Sequence, residues 1–180
     1  MPRLFTGIEI PAEIADRLAL LRGGLQGARW IDAENYHVTL RFVGDIDERT
    51  ADEIADALDR VRRTEFMLQL DGLDVFGSSK PHALVARVAG SRALAELQAE
   101  HERIMQRIGL PPEGRRFTPH VTLARLRGVG PREAAHYLGT RGHFLTQPFP
   151  VTRFVLFSSK ASTGGGPYLV EQSYPLDEAA

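Results

Sequence analysis

The chain has 180 residues, 43% of them hydrophobic and 25% charged, and a formal net charge of −1. That length suits one sizeable core or two small lobes sharing one, and the near balance of charge excludes strong global attraction to a polyanion. No run approaches the roughly 20 apolar residues needed to cross a bilayer as a helix, and the absence of cysteine excludes disulfides, thiolate chemistry and Cys-based zinc sites.

In chain order, Met1-Pro2-Arg3-Leu4-Phe5 leads straight into alternating sequence without an apolar signal segment, so a cytoplasmic protein is expected. Arg3–Ile10 reads as a strand. Pro11 then opens a helix with Ile14, Leu18, Leu21 and Leu25 on one face. Tyr36–Val43 is a strand closed by Gly44-Asp45, and Glu48–Arg63 is a helix with Ile54, Leu58 and Val61 inward. Phe66–Phe76 is a strand, followed by the turn Gly77-Ser78-Ser79-Lys80-Pro81 and the strand His82–Val88. Ser91 caps a long helix whose inner stripe is Leu94, Leu97, His101, Ile104 and Ile108, ended by Gly109 and Pro111. Pro119–Leu126 is a strand, Pro131–Leu138 a short helix, Phe149–Phe157 a strand, and Tyr168–Tyr174 the last strand. Gly164-Gly165-Gly166 lacks the strand–loop–helix setting of a phosphate loop and reads as a hairpin tip that could act as a lid.

The tetrapeptide His-Val-Thr-Leu occurs at His37–Leu40 and again at His120–Leu123. A second echo follows in register: Phe76-Gly77-Ser78-Ser79-Lys80 and Phe157-Ser158-Ser159-Lys160 each lie about 40 residues beyond their histidine. The order of helices and strands repeats as well. These markers predict an α+β fold of two pseudo-symmetric lobes, with antiparallel sheets lining a central cleft and helices outside. The whole chain, 1–180, reads as one domain with an internal repeat at roughly 3–76 and 82–157 and a closing strand at 168–174.

Strand side chains alternate, so each His-x-Thr step presents an imidazole and a hydroxyl on one face. Two such steps across a cleft supply an acid, a base and two hydroxyl donors for an anion between them, which suits cleavage of a phosphate ester without metal. Histidine titrates near neutral pH, and the β-branched threonine holds its hydroxyl in a fixed rotamer. The competing use, a two-His, one-carboxylate metal site, lacks an acid within either motif, and Asp45, Asp47 and Glu48 are explained by the start of a helix. Only Lys80 and Lys160 are lysines, which leaves 20 arginines among the 22 basic residues. Arg115, Arg116, Arg125, Arg127 and Arg132 crowd around the second motif, where a positive field helps hold phosphate. Phe42 could stack on a base at the cleft mouth. His101 reads as a packed core histidine, and His82, His136 and His143 as structural or exposed.

Four stretches together resemble the 2H phosphoesterase superfamily, and within it the RNA 2′,3′-cyclic phosphodiesterases, historically 2′-5′ RNA ligases. They are Phe5–Pro11, His37–Gly44, Phe117–Arg125, and Tyr168-Leu169-Val170 through Tyr174-Pro175-Leu176. The resemblance implies metal-independent, cofactor-free opening of a 2′,3′-cyclic phosphate to a 2′-phosphate on RNA ends or nucleotides. It makes His37 the proton donor, His120 the proton acceptor, and Thr39 and Thr122 the ligands of the non-bridging oxygens. Arg125 matches a phosphate-binding arginine of the family, yet strict alternation puts it on the face opposite His120. Arg41 has the right parity in the first copy and is the other candidate for substrate binding, with Phe42. Alternatives are joining of RNA ends through a 2′-5′ bond and a non-catalytic module that binds RNA ends. No membrane association and no obligate protein partner are implied.

Overall fold

The computed structural model of the chain describes residues 3–159 and 166–179. Lys160 and most of the Gly164–Gly166 tip therefore lie outside the described residues. The elements run β1 (Arg3–Glu9), α1 (Ala12–Ala19), β2 (Ala28–Trp30), a 3-10 turn (Ala33–Asn35), β3 (His37–Asp45), α2 (Glu48–Leu58), β4 (Phe66–Leu68), β5 (Leu70–Phe76), β6 (Ala83–Val88), α3 (Arg92–Ile108), β7 (His120–Leu126), α4 (Pro131–Arg141), β8 (Phe149–Val151), β9 (Arg153–Ser159) and β10 (Tyr168–Pro175).

The main sheet is antiparallel throughout, in the order β10-β9-β1-β3-β7-β6-β5, with β2 also paired to β7. Its two halves, β9-β1-β3 and β5-β6-β7, are related by a pseudo-twofold axis between β3 and β7, where the one register pair is Val38 with Val121. The lobes are thus joined edge to edge at their histidine strands. They are also interleaved: β9 from the second half of the chain pairs with β1, while β5 from the first half pairs with β6.

Two expected strands are each broken. Phe66–Phe76 divides after Leu68 and Phe149–Phe157 after Val151. The leading pieces, β4 and β8, leave the main sheet and pair with each other. This break is equivalent in both halves and lets one run of sequence serve two sheets.

Helix ends follow local chemistry. Ser91 Oγ accepts from Leu94 N–H at 3.1 Å to start α3, and Gly109, at φ 111°, ends it in the left-handed conformation that glycine adopts without strain. Asp47 caps α2 by accepting from Thr50 N–H at 2.7 Å. Two helices are shorter than expected. α1 stops at Ala19 before the positive-φ pair Gly23-Gly24, and α2 stops at Leu58, although Leu25 and Val61 are still buried. One continuous core runs under both lobes, from Leu4 and Val38 through Leu97 to Val121 and Phe154. Among the described residues no helix is long and apolar enough to cross a membrane.

Candidate active site

A cleft of about 1140 Å³ opens over the junction of β3 and β7, and His37, Thr39, His120 and Thr122 all line it. The antiparallel pairing at Val38 and Val121 sets His37 across from Thr122 and Thr39 across from His120 on the opposite face from those valines, which are fully buried. The two His-x-Thr motifs thus form one constellation.

The parity of the arginines is decided by β-bulges. β6 pairs through Leu84 with Ala124 and then through Val85 with Thr122, so Leu123 is the extra residue and the alternation of β7 inverts there. Arg125 consequently lies on the face of His120 and Thr122 and lines the cleft. The equivalent bulge in β3 falls at Leu40, because Thr6 pairs with Arg41 and Gly7 with Thr39. It carries Phe42 onto the cleft face, 42% exposed, and turns Arg41 toward the core. Arg41, expected as a candidate for substrate binding, is among the residues lining the cleft, yet its polar atoms are engaged within the protein. Its side chain is buried, its Nε and Nη2 donate to the Glu102 carboxylate, and it donates to the carbonyls of Phe42 and Pro111 at 2.6 Å each.

Both imidazoles are held in the same way. His37 Nδ1–H donates to the Asn35 carbonyl at 2.9 Å, and His120 Nδ1–H donates to the Thr118 carbonyl at 2.6 Å. A carbonyl only accepts, so Nδ1 carries the proton in the neutral ring and Nε2 is the atom left for chemistry. The Thr39 hydroxyl donates to His37 Nε2 at 2.9 Å. Burial pushes the His37 pKa down to about 4, with the positive charges of His120 and Arg125 adding to the effect and the Asn35 carbonyl opposing it. Burial and the Arg125 charge lower His120 as well, while the Thr118 carbonyl opposes them.

The surroundings of the two rings differ. His37 is enclosed by Phe5, Tyr168 and Phe157, at ring separations of 5.0, 5.1 and 5.4 Å. Among the described residues His120 has only the Phe76 ring beside it, edge-on at 4.8 Å. By register Phe76 is the counterpart of Phe157 and Ala83 that of Phe5, whereas Tyr168 comes from β10, which has no counterpart strand beside β5 among the described residues. Asn35 supports this side twice, since its Oδ1 also accepts from Tyr168 N–H at 3.4 Å. Composition gave no hint of this aromatic enclosure, and only the flanking motifs around Phe5 and Tyr168 marked these positions. His82, expected to be structural or exposed, is exposed at the mouth of the same cleft. His101 is in the core, as expected, bonded through Nδ1 to Thr6 Oγ1 at 2.9 Å.

Arg3, Arg29, Arg115, Arg116 and Arg127 also border the cleft, so an anion is favoured there despite the chain's net charge of −1. Among the described residues no group of three or more His, Cys, Asp or Glu side chains is placed to hold a metal ion.

The family described as LigT like Phosphoesterase matches the chain twice, over residues 8–86 and 87–168. An RNA 2′,3′-cyclic phosphodiesterase of Aeropyrum pernix is 37% identical over 119 residues, covering 63% of this chain and 68% of that protein. E. coli LigT complexed with 3′-AMP is 25% identical, with a TM-score of 0.75, and covers 98% of this chain and 99% of that one. TT0787 of Thermus thermophilus has a TM-score of 0.83 over 99% of this chain and all of its own; at 22% identity it attests the fold alone.

Proposed function

The chain belongs to the family of LigT-like phosphoesterases, and from that footing we propose that it hydrolyses RNA or nucleotide 2′,3′-cyclic phosphates to 2′-phosphates without a metal. The observation that carries this reading is the facing pair of His-x-Thr motifs, each imidazole with Nδ1 fixed on a carbonyl and Nε2 left for the cleft. In the proposed reaction His120 Nε2 takes a proton from water as its oxygen bonds to phosphorus. The P–O3′ bond breaks, and His37 Nε2–H delivers a proton to the departing oxygen. Thr39, Thr122 and Arg125 hold the non-bridging oxygens as charge builds on them.

The free His37 is largely neutral at physiological pH, so the acid role depends on the substrate. A bound phosphate anion opposes the charge of Arg125 and raises the pKa of both rings. It also gives the Thr39 hydroxyl an anionic acceptor in place of His37 Nε2. Phe42 offers an exposed ring for a base beside the phosphate site. We read residues 1–180 as one domain built on repeats at roughly 3–76 and 82–157, acting in the cytoplasm without an obligate partner.

The test is turnover of a 2′,3′-cyclic nucleotide in the presence of EDTA, with the product identified. Formation of a 2′-phosphate supports the reading. Binding without turnover points to a module that only holds RNA ends, and activity lost to EDTA and restored by zinc or manganese points to a metal enzyme.

A further inference from the structure

We propose that Arg41 and Glu102 are positioning residues that hold the segment between α3 and β7 so that Arg115 and Arg116 meet the phosphodiester next to the cyclic terminus of an RNA strand. This rests on the cyclic phosphodiesterase reading and adds to it a subsite outside the His–Thr centre.

The segment from Gly109 to Pro119 forms neither helix nor strand, and it leads directly into His120. Backbone bonds hold its two ends, from Leu110 N–H to Met105 O and from Val88 N–H to Pro119 O, and between them side chains supply the fixation. Arg41 supplies that fixation from beneath the sheet: besides pairing with Glu102 it donates to Pro111 O at 2.6 Å. Glu102 accepts in turn from Glu113 N–H at 3.0 Å and from Gln106 Nε2 at 2.9 Å. One ion pair thus ties β3, the strand of His37, to α3 and to the segment that delivers His120. Arg41, Gln106 and Glu113 hold the Glu102 carboxyl down to about 2, so the pair stays charged wherever the protein works.

Beyond this tether, Glu113 Oε1 accepts from Arg115 N–H at 3.1 Å and from its Nε–H at 3.3 Å, setting the direction of that side chain. Arg115 and Arg116 are exposed and line the same cleft as the four motif side chains, beside Phe117 in sequence. Two guanidiniums at a cleft mouth suit a phosphodiester, which accepts paired N–H donors. A cyclic mononucleotide has no such second phosphate, and this sets the two substrates apart.

The experiment compares a short single-stranded RNA ending in a 2′,3′-cyclic phosphate with a 2′,3′-cyclic mononucleotide. Arg41→Lys, and Glu102→Gln as the shape-conserving alternative should the first fail to fold, are each expected to raise KM for the RNA by about tenfold, with the mononucleotide KM moving far less. Arg115→Ala combined with Arg116→Ala should reproduce the rise, and adding Glu102→Gln to it should bring no further increase. Amides between Leu110 and Thr118 should exchange hydrogen faster in Arg41→Lys, a readout independent of turnover. Equal KM changes for both substrates, additive effects, or unchanged exchange would overturn the inference. If the wild-type protein hydrolyses neither substrate, the functional reading fails instead, and exchange together with affinity for the same RNA still decides the role of Arg41.

Discussion

Phe42 and Arg125 occupy the same position in the two halves of the fold, each brought to the cleft by a bulge two residues earlier, at Leu40 and Leu123. A symmetric scaffold thus presents a ring on one side of the phosphate site and a guanidinium on the other. Arg125→Ala is expected to raise KM by about tenfold, and Arg125→Lys to recover only part of the loss, since lysine keeps the charge without the planar fork. Steady-state kinetics check both. Unchanged values in Arg125→Ala would remove this residue from phosphate binding.

Replacing either His37 or His120 with alanine should lower kcat by ~10²–10⁴-fold, the usual contribution of a general acid or base. Circular dichroism should show both variants folded, because His120 reaches the cleft surface and His37 is packed by rings that remain. A variant retaining more than about a tenth of the activity would exclude that histidine from proton transfer.

Thr39→Val and Thr122→Val keep shape and strand propensity but delete a hydroxyl. If each hydroxyl donates to the charged transition state, kcat/KM should fall about ten- to a hundredfold, from roughly 1.5–3 kcal/mol per bond to a charged group. Thr39→Val carries a second effect, since His37 Nε2 loses its partner in the free protein. Its pH profile should therefore shift more than that of Thr122→Val.

The pH dependence follows from the depressed His37. With its free pKa at about 4, the alkaline limb of kcat/KM, which reports the unliganded protein, should lie below the alkaline limb of kcat. Bound phosphate favours the imidazolium and moves that limb to higher pH. Coincident limbs would mean that the anion does not recharge the acid.

Stability should fall in acid for a related reason. Burial pushes His101 down to about 3, with the Arg63 charge adding to it, and its Nε2 has no hydrogen-bond partner among the described residues. A lowered histidine pKa means that the unfolded chain binds the proton first. The contribution is complete above about 6.5 and is lost as pH falls toward the folded value, at up to about 1.4 kcal/mol per unit. His37 adds a similar loss between about 6.5 and 4. Urea unfolding across this range, compared with Thr6→Val combined with His101→Leu, should show a flatter dependence in the double variant.

Much of the site was legible because it rests on local chemistry: two identical motifs, each on a strand, each followed at a similar distance by a matching Phe-containing stretch. Ser91 and Gly109 marked α3 for the same reason, since caps act within one turn. What stayed hidden depends on partners distant in the chain. β2 has three residues and exists because β7 offers it a register. The inversions at Leu40 and Leu123 come from pairing with β1 and β6, so alternation counted along one strand put Arg41 and Arg125 on each other's faces. The exits at Gln69 and Thr152 likewise depend on β4 and β8 finding each other.

The exchange of β5 and β9 between the lobes bears on how such a chain can arise. A single half, cut out, keeps β1 and β3 but lacks the strand that flanks β1 from the other half, and its own β5 has no β6 to join. Two copies would satisfy each other by trading that strand around a true twofold axis, in an isologous dimer. The single chain then corresponds to that dimer fused head to tail. Fusion frees the two copies to diverge, so that one side can keep a charge where the other keeps a ring.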